Sequence, residues 1–342
     1  MITVYSDQHR LRNARTELYG GELVSPHECP ERAQYVLDRA REISLGPVIA
    51  PTDFGIGPVL RVHDEQFVEF LRTAWTEWVA AGNRGEAIPD CWPTRRMVQK
   101  RPRSITGKVG YYAMAGETSI SGGTWEAARA AANVALTGAA QLQAGARAAF
   151  ALCRPPGHHA ASDLYGGYCF LNNAAIAAQS LRDRGASRVT VLDVDFHHGN
   201  GTQDIFYTRD DVQFLSLHGD PADAFPYFLG YADETGTGAG AGFNANFPLP
   251  RGTQFSAWCE ALNAALARLR HFAPDAVVVS LGVDTFENDP ISFFKLRSAD
   301  FLTYGAMIGA LGLPTLFVLE GGYAVAEVGI NVVNVLTGFE GD

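Results

Sequence analysis

Six short runs of apolar residues recur along the chain, and each is bounded by polar residues or glycine. Several runs are rich in β-branched residues. Runs of this length and composition are typical of strands that are buried on both faces of a sheet. The predicted strands span residues 2–5, 149–153, 189–192, 212–217, 276–281 and 315–319.

The segments between these strands contain apolar residues at the period of an amphipathic helix. In residues 64–81, an apolar stripe includes Phe67, Phe70, Leu71 and Ala74,. Further helices are predicted for residues 124–144, 173–184, 256–272 and 298–311, and for residues from about 326 to 336,. This alternation predicts an α/β fold in which helices cover both faces of a mostly parallel sheet.

One stretch interrupts this alternation. Residues 83–107 contain three prolines, several arginines and no clear period. Long segments of this kind are uncommon in compact domains and are usually functional or disordered. We expect an ordered insertion that shapes a site or an interface, and a plain surface loop is the alternative. Because no interdomain linker stands out, residues 1–342 are predicted to form a single domain.

Composition excludes several classes of function. The formal net charge is −10 and no run of lysine or arginine occurs, so nucleic acid is a poor partner,. No apolar stretch reaches the roughly 18 residues of a membrane span. The five cysteines are scattered and form no C-x-x-C pair, which argues against a disulfide framework or a cysteine-type zinc site,. The cytoplasm is therefore the expected location.

Chemically active side chains directly follow four of the predicted strands. They are His158 and His159, then Asp193, Asp195 and His197, then Asp284, and finally Tyr323. Ligands of open α/β sheets bind at the edge beyond the carboxyl ends of the strands. Buried charged groups at such an edge are costly unless something pairs with them, and a divalent metal ion would do so.

The acids and histidines in this set match a catalytic metal site. Asp195, His197 and Asp284 supply two oxygens and one nitrogen and leave coordination positions open, as catalytic zinc sites do. Such a metal would polarise a carbonyl and lower the pKa of bound water. Side chains alternate along a strand, so Asp193 shares the face of Asp195 and His197, whereas His198 turns away from them.

The remaining groups complete a hydrolytic site. A histidine beside the metal can take a proton from water. The hydroxyl of Tyr323 can donate to the oxyanion of a tetrahedral intermediate. Asp193 and Asn200 are suitable hydrogen-bond partners for the histidine pair, His158 and His159. The residues therefore predict metal-assisted hydrolysis of an amide or a related acyl bond.

The motifs that carry these residues resemble those of the histone deacetylase superfamily, and most closely its acetylpolyamine amidohydrolases. They are R-P-P-G-H-H-A from Arg154, G-G-Y-C-F-x-N-N-A-A from Gly166, D-V-D-F-H-H-G-N-G-T-Q from Asp193 and S-L-G-V-D-T-F from Ser280. The resemblance begins near Arg12 and continues beyond the E-G-G-Y segment. It implies an arginase-like fold around an eight-stranded parallel sheet, and zinc-dependent hydrolysis of acetamides of primary amines.

The resemblance also implies roles for individual residues. Asp195, His197 and Asp284 would bind zinc, although the ligand types would also accept iron or cobalt. His159 would be the general base and then the general acid, and His158 would act through its charge beside Asp193. Tyr323 would bind the carbonyl oxygen. The walls of a narrow tunnel for the alkyl chain would be Gly167, Tyr168 and Phe225.

Members of this family hold monovalent cations, and the resemblance extends to those sites. One potassium or sodium ion would use Asp193, the backbone carbonyls of Asp195 and His197, and Ser216 and Leu217. A second would use Phe206, Arg209, Val212 and Phe243. Most of these ligands are backbone atoms, so side-chain identity supports the two sites weakly.

The expected substrate is a small cationic acetylated amine, such as acetylputrescine, acetylcadaverine or acetylspermidine. In the acetylpolyamine branch, an insertion like residues 83–107 helps form a homodimer and narrows the entrance. Glu17 and Glu117 could meet the distal ammonium groups.

Two alternatives to this function remain: an acetyl-lysine deacetylase, and a non-catalytic acyl-binding or metal-binding protein on the same scaffold. A two-manganese hydrolase of the arginase type is disfavoured. The presence of one complete ligand set with an adjacent tyrosine favours a single metal.

Overall fold

We describe a computed structural model of the chain, which covers residues 1–96 and 98–341. Ten strands form over these residues: β1 Ile2–Val4, β2 Glu17–Tyr19, β3 Glu22–Val24, β4 Val48–Ile49, β5 Ala148–Ala151, β6 Val189–Asp193, β7 Val212–Gly219, β8 Asn244–Leu249, β9 Ala276–Leu281 and β10 Thr315–Leu319. The α-helices of the same residues are α1 Pro30–Glu42, α2 Glu65–Ala80, α3 Ile105–Tyr112, α4 Thr124–Gln143, α5 Asn173–Asp183, α6 Asn200–Phe206, α7 Phe255–Phe272, α8 Ser298–Gly309 and α9 Val325–Glu340.

Eight of these strands form one sheet in the order β4-β1-β5-β10-β9-β6-β7-β8, and every neighbouring pair is parallel. The predicted α/β architecture is therefore confirmed. All six predicted strands are present, and their ends differ by at most two residues from those expected. Strands β2 and β3 form a separate antiparallel hairpin.

Alternating residues of each strand enter two different cores. In β10, Phe317 and Leu319 face a core that includes residues of α1, α7, α8 and α9, whereas Leu316 and Val318 face a core with residues of α4 and α5. This alternation follows from the two-residue period of a strand. Because both faces are covered, polar side chains of the strands can reach solvent only at the strand ends.

Sequence patterns did not predict α1, α3, α6, β4, β8 or the β2–β3 hairpin. Strand β8, which reads N-A-N-F-P-L, lies at the edge of the sheet, where a proline is tolerated,. Its two asparagines are buried and belong to a polar network beneath the β7–β8 connection. The apolar signal of a buried strand is therefore absent from this segment.

The predicted insertion contacts the rest of the chain at Ala87 and Cys91, whereas residues 90–96 are all exposed; Met97 lies outside the described residues. Ala87 exchanges two backbone hydrogen bonds with Ile120, each 2.9 Å long. A side chain at Gly110 of α3 would overlap the backbone of Cys91.

Among the described residues, no helix is long and apolar enough to cross a membrane.

Candidate active site

Four adjacent strands, β5, β10, β9 and β6, occupy the middle of the sheet. The segments that follow β5, β10 and β9 carry the histidine pair, Tyr323 and Asp284, respectively, and the Asp193–His197 run begins at the last residue of β6. Parallel neighbours place their carboxyl ends at the same edge. The convergence that the sequence predicts is therefore present, and it depends on the strand order rather than on proximity along the chain.

The buried side chains of Asp195, His197 and Asp284 meet at this edge. The Nδ1 of His197 lies 3.2 Å from Asp195 Oδ1 and 3.0 Å from Asp284 Oδ2. One potential ligand atom from each residue lies within 4.8 Å of the others. Burial and the charge of Asp195 raise the pKa of Asp284 to about 8. Two carboxylates in such an environment create a need for further positive charge, which a divalent cation would meet.

Backbone groups hold the two carboxylates in place. The N–H of Gly321 donates to Asp195 Oδ2 at 2.8 Å, and the N–H of Phe196 donates to Asp284 Oδ1 at 2.7 Å. A β-carbon on Gly282 would overlap the carboxylate of Asp195, and one on Gly321 would overlap that of Asp284. Gly282 of L-G-V-D and Gly321, the first glycine of E-G-G-Y, are thus required by close approach to acidic side chains,.

The two adjacent histidines occupy different electrostatic environments. Burial alone would lower the pKa of His158, but the charges of Asp193 and Asp195 raise it to about 10. Its Nδ1 lies 3.0 Å from Asp193 Oδ2. For His159, burial is the main cause that lowers the pKa well below its usual value, and the neighbouring charge of His158 acts in the same direction. These surroundings favour the protonated ring of His158 and the neutral ring of His159.

The hydrogen bond of His159 also sets its tautomer. Its Nδ1 lies 2.7 Å from Asn200 Oδ1, which can only accept, so the ring proton is on Nδ1,. The lone pair of Nε2 is then available, and the ring lines the cavity above the acidic residues. His198, by contrast, turns to the other side, where Nε2 meets Gln203 and Asn246.

Tyr323 and the histidine pair depend on residues that sequence reasoning missed. Glu320 accepts hydrogen bonds from the N–H groups of Gly157 at 2.6 Å and His158 at 3.1 Å. Asp289 accepts from the N–H of Tyr323 at 2.7 Å. Glu320 belongs to the recognised E-G-G-Y segment, so its motif could have drawn attention to it. Asp289 lies in a loop without any such signal.

A cavity of about 260 Å³ extends outward from His197 and Tyr323. Tyr168 and Phe225 form aromatic walls: the Phe225 ring lies 5.1 Å from that of His159, and the Tyr168 ring lies 5.5 Å from that of Tyr323. Gly167 also lines the cavity, where a β-carbon would overlap the ring of His159. The three predicted tunnel residues are thus brought together above the acidic residues.

The two acidic residues expected at the substrate's far end differ in their surroundings. Glu17 is buried, and both of its oxygens are engaged: Oε1 accepts from the Tyr168 hydroxyl at 2.6 Å and Oε2 from the His27 N–H at 2.9 Å. Glu117 is only partly buried, and its Oε1 accepts from the Gly167 N–H at 2.7 Å. Within the described part of the chain, no hydrogen bond holds Glu117 Oε2. Of the two carboxylates, Glu117 is the freer to meet a ligand.

The residues of the two expected monovalent cation sites lie along strands β6 and β7 and the segments that flank them. Asp193 pairs with Ser216 across these strands, and Leu217 follows. At the other end, Arg209 donates its N–H to the carbonyl of Phe206 at 3.0 Å. Val212 begins β7, and the carbonyl of Phe243 accepts from the N–H of Phe214, which lies two residues further along the strand. Cation binding at either position stays a prediction.

A model of the histone deacetylase domain matches residues 26–339 of the chain. Acetylpolyamine amidohydrolase 2 from Pseudomonas aeruginosa is 58% identical over 341 residues, which cover 100% of this chain and 99% of that protein. The acetylpolyamine amidohydrolase of Mycoplana ramosa is also 58% identical and is matched over the full length of both chains.

Two solved structures of similar proteins also superpose on this chain. The crystal structure of acetylpolyamine aminohydrolase from Burkholderia pseudomallei superposes with a TM-score of 0.96 at 42% identity and covers 100% of this chain and 99% of that one. The HD domain of HDA15 gives a TM-score of 0.82 at 25% identity and covers 100% and 91%, respectively. The chain belongs to the histone deacetylase family, and within it resembles the acetylpolyamine amidohydrolases over its whole length.

Proposed function

We propose that this protein hydrolyses the acetamide bond of small acetylated amines, with zinc held by Asp195, His197 and Asp284. The observation that carries the proposal is the position of His159, which lines an aromatic-walled cavity together with His197 and has its Nδ1 bound to Asn200 Oδ1. Burial also lowers the pKa of His159, which favours the neutral ring. Hydrolysis needs an unprotonated base next to an activated water.

The donor set fits a catalytic zinc site because it combines two carboxylates with one imidazole and leaves positions open,. A second buried group, His158, Cys169 and Glu320, fits less well. Burial raises the pKa of the Cys169 thiol well above its usual value, and a thiol must ionise to bind a metal,.

When bound at Asp195, His197 and Asp284, the zinc ion would polarise the acetamide carbonyl and make water more acidic. Iron or cobalt would suit the same donor types.

The chain's own residues perform the proton transfers. His159 Nε2 takes the proton of the attacking water, and the hydrogen bond from Nδ1 to Asn200 keeps the ring in the required tautomer,. The same nitrogen then gives its proton to the departing amine. His158 stays protonated beside Asp193, so it acts through its charge rather than as a base.

Tyr323 supplies the other polar group of the reaction. Its hydroxyl pKa is raised well above its usual value, because burial disfavours the phenolate. The hydroxyl therefore stays protonated and can donate to the oxyanion that develops on the acetamide oxygen.

The cavity and its charges suit an acetylated diamine or polyamine. Aromatic rings at Tyr168 and Phe225 can pack against a methylene chain, while Glu117 can attract a distal ammonium group,. The names of the similar proteins from Pseudomonas and Mycoplana point to the same substrates.

We also propose a homodimer and at least one bound potassium or sodium ion. Leu23 and Phe228 are 63% and 74% exposed. Leu23 pairs with Leu18 and Phe228 follows Tyr227, and both Leu18 and Tyr227 line the cavity, so these apolar side chains would suit a partner surface,. Asp193 and Ser216 would contribute to the cation site.

The proposal predicts metal-dependent turnover of acetylputrescine, acetylcadaverine and acetylspermidine, because the cavity offers aromatic walls and an acidic mouth. Steady-state kcat/KM should be higher for these amines than for an acetyl-lysine peptide, and metal-stripped protein is the control. Preference for the peptide would reassign the protein to lysine deacetylation. Loss of turnover on every substrate would support a binding protein without catalysis.

Removal of individual groups should separate their roles. His159→Ala should lower kcat by roughly 10²-fold to 10⁴-fold, since it removes the base. Tyr323→Phe should lower kcat by roughly 10²-fold or more, since it removes one oxyanion donor. Both variants should retain metal, as measured by elemental analysis. If His158→Ala proves more damaging than His159→Ala, the assignment of the base must be reversed.

The Asn200 contact gives a prediction on pH dependence. Asn200→Asp would place a carboxylate beside His159 Nδ1, which stabilises the protonated ring and raises its pKa. Since the base must be neutral, the acidic limb of the kcat/KM profile should move to higher pH. Asn200→Ala, which lacks the charge, is the matched comparison and should not produce this upward shift. A profile that does not move in Asn200→Asp would argue against His159 as the base.

Gly282 offers a test of the metal ligands that leaves every ligand unchanged. In Gly282→Ala, the new β-carbon would displace the carboxylate of Asp195. We expect metal affinity to fall by roughly 10-fold to 100-fold, as for other disruptions around a metal site. Gly85→Ala, in open surroundings, is the control. Equal metal affinity in both variants, measured by competition with a chelator, would count against Asp195 as a ligand.

A further inference from the structure

One aromatic wall of the cavity, Phe225, lies on a loop that joins two strands rather than directly after one of the four central strands. Phe225 belongs to the connection between β7 and β8, residues 220–243, and its ring packs against His159. The tip of this connection is open to solvent, with Tyr227 50% and Phe228 74% exposed. An exposed segment of this kind keeps one conformation only if its backbone is anchored.

One anchor lies at Gly230, just after the exposed tip, and a second is the hydrogen bond from Asn246 Nδ2 to the carbonyl of Tyr231. Side chains bind both backbone polar groups of Gly230: the N–H donates to Glu234 Oε2 at 2.9 Å, and the carbonyl accepts from His218 Nε2 at 2.8 Å. Gly230 has a φ of 110°, and a β-carbon there would press on the rings of His198 and His218. The backbone therefore approaches these imidazoles as closely as glycine alone allows.

The two anchoring side chains, His218 and Glu234, each form a further hydrogen bond with another side chain. The other ring nitrogen of His218 lies 2.8 Å from the Ser216 hydroxyl, and both residues are fully buried. Glu234 Oε2 also accepts from Gln203 Nε2 at 2.6 Å, and Gln203 lies on α6. This arrangement connects the exposed wall to the helix that follows the Asp193–His197 run.

We propose that His218 and Glu234 are positioning residues that clamp Gly230 and so hold Phe225 as a wall of the substrate cavity. This inference rests on the proposed function. Neither residue lines the cavity, so each acts through the backbone of the connection. Loss of the clamp lowers the fraction of protein with a formed wall, and apparent affinity falls by that fraction. The proposed catalytic groups lie on other segments, so kcat is retained.

The main test uses Glu234→Ala, because Glu234 is only partly buried and its loss is the less damaging to folding. We expect KM for acetylputrescine to rise about tenfold, the effect of one lost hydrogen bond to a charged group, with kcat nearly unchanged. Glu234→Gln keeps an acceptor oxygen and should restore most of the affinity. Asp233→Ala removes an exposed neighbouring charge and should leave KM unchanged.

A second measurement does not depend on turnover. Amide hydrogen exchange of residues 220–235 should become faster in Glu234→Ala and in His218→Ala, and stay slow in Asp233→Ala. Unchanged exchange and KM in Glu234→Ala would overturn the clamp. A fall in kcat together with loss of metal would also overturn it, because the residue would then support the metal site. If the unaltered protein deacetylates no amine, the proposed function fails, and hydrogen exchange still decides on the clamp.

Discussion

The structure depends on the burial of negative charge at one edge of the sheet. Asp193, Asp195, Asp284 and Glu320 are all fully buried there. Isolated carboxylates cannot remain ionised in such surroundings, so each needs protons, donors or cations. Backbone N–H groups and the charged His158 supply part of that compensation, and a divalent metal ion would supply the rest. The protonation states of the histidines follow from this balance.

The same constraint explains the glycines and the strand order. Strands β5, β10, β9 and β6 are neighbours, so the segments after them can share one small volume. The carboxylates then lie so close to other segments that a β-carbon at Gly282 or Gly321 would overlap them. A parallel sheet with covered faces leaves its strand ends as the place where such polar groups can meet. The order of the four central strands therefore determines both the fold and the position of the candidate site.

Sequence reasoning located the central strands of the sheet and brought attention to the proposed reacting groups, because both leave local signals. Apolar runs mark the central strands, and the groups that follow them stand within a few residues of each strand end. The supporting residues leave weaker signals. Asp289, which accepts a hydrogen bond from the N–H of Tyr323, lies in a loop 34 positions away in sequence. Strand β8 was missed because its asparagines face a buried polar network instead of a core. Such contacts exist only once the tertiary fold has formed.

The site therefore has two parts with different mechanical properties. The proposed ligands and His159 are held by buried strands and by hydrogen bonds that water cannot easily replace. The outer wall at Phe225 depends instead on a connection whose tip is exposed and whose backbone is fixed at Gly230. Rigid placement suits groups that transfer protons, since small displacements there cost reactivity. A wall that would contact the methylene chain of the proposed substrate can be built on a loop, since variation of that loop would alter substrate choice and leave the proposed reacting groups in place.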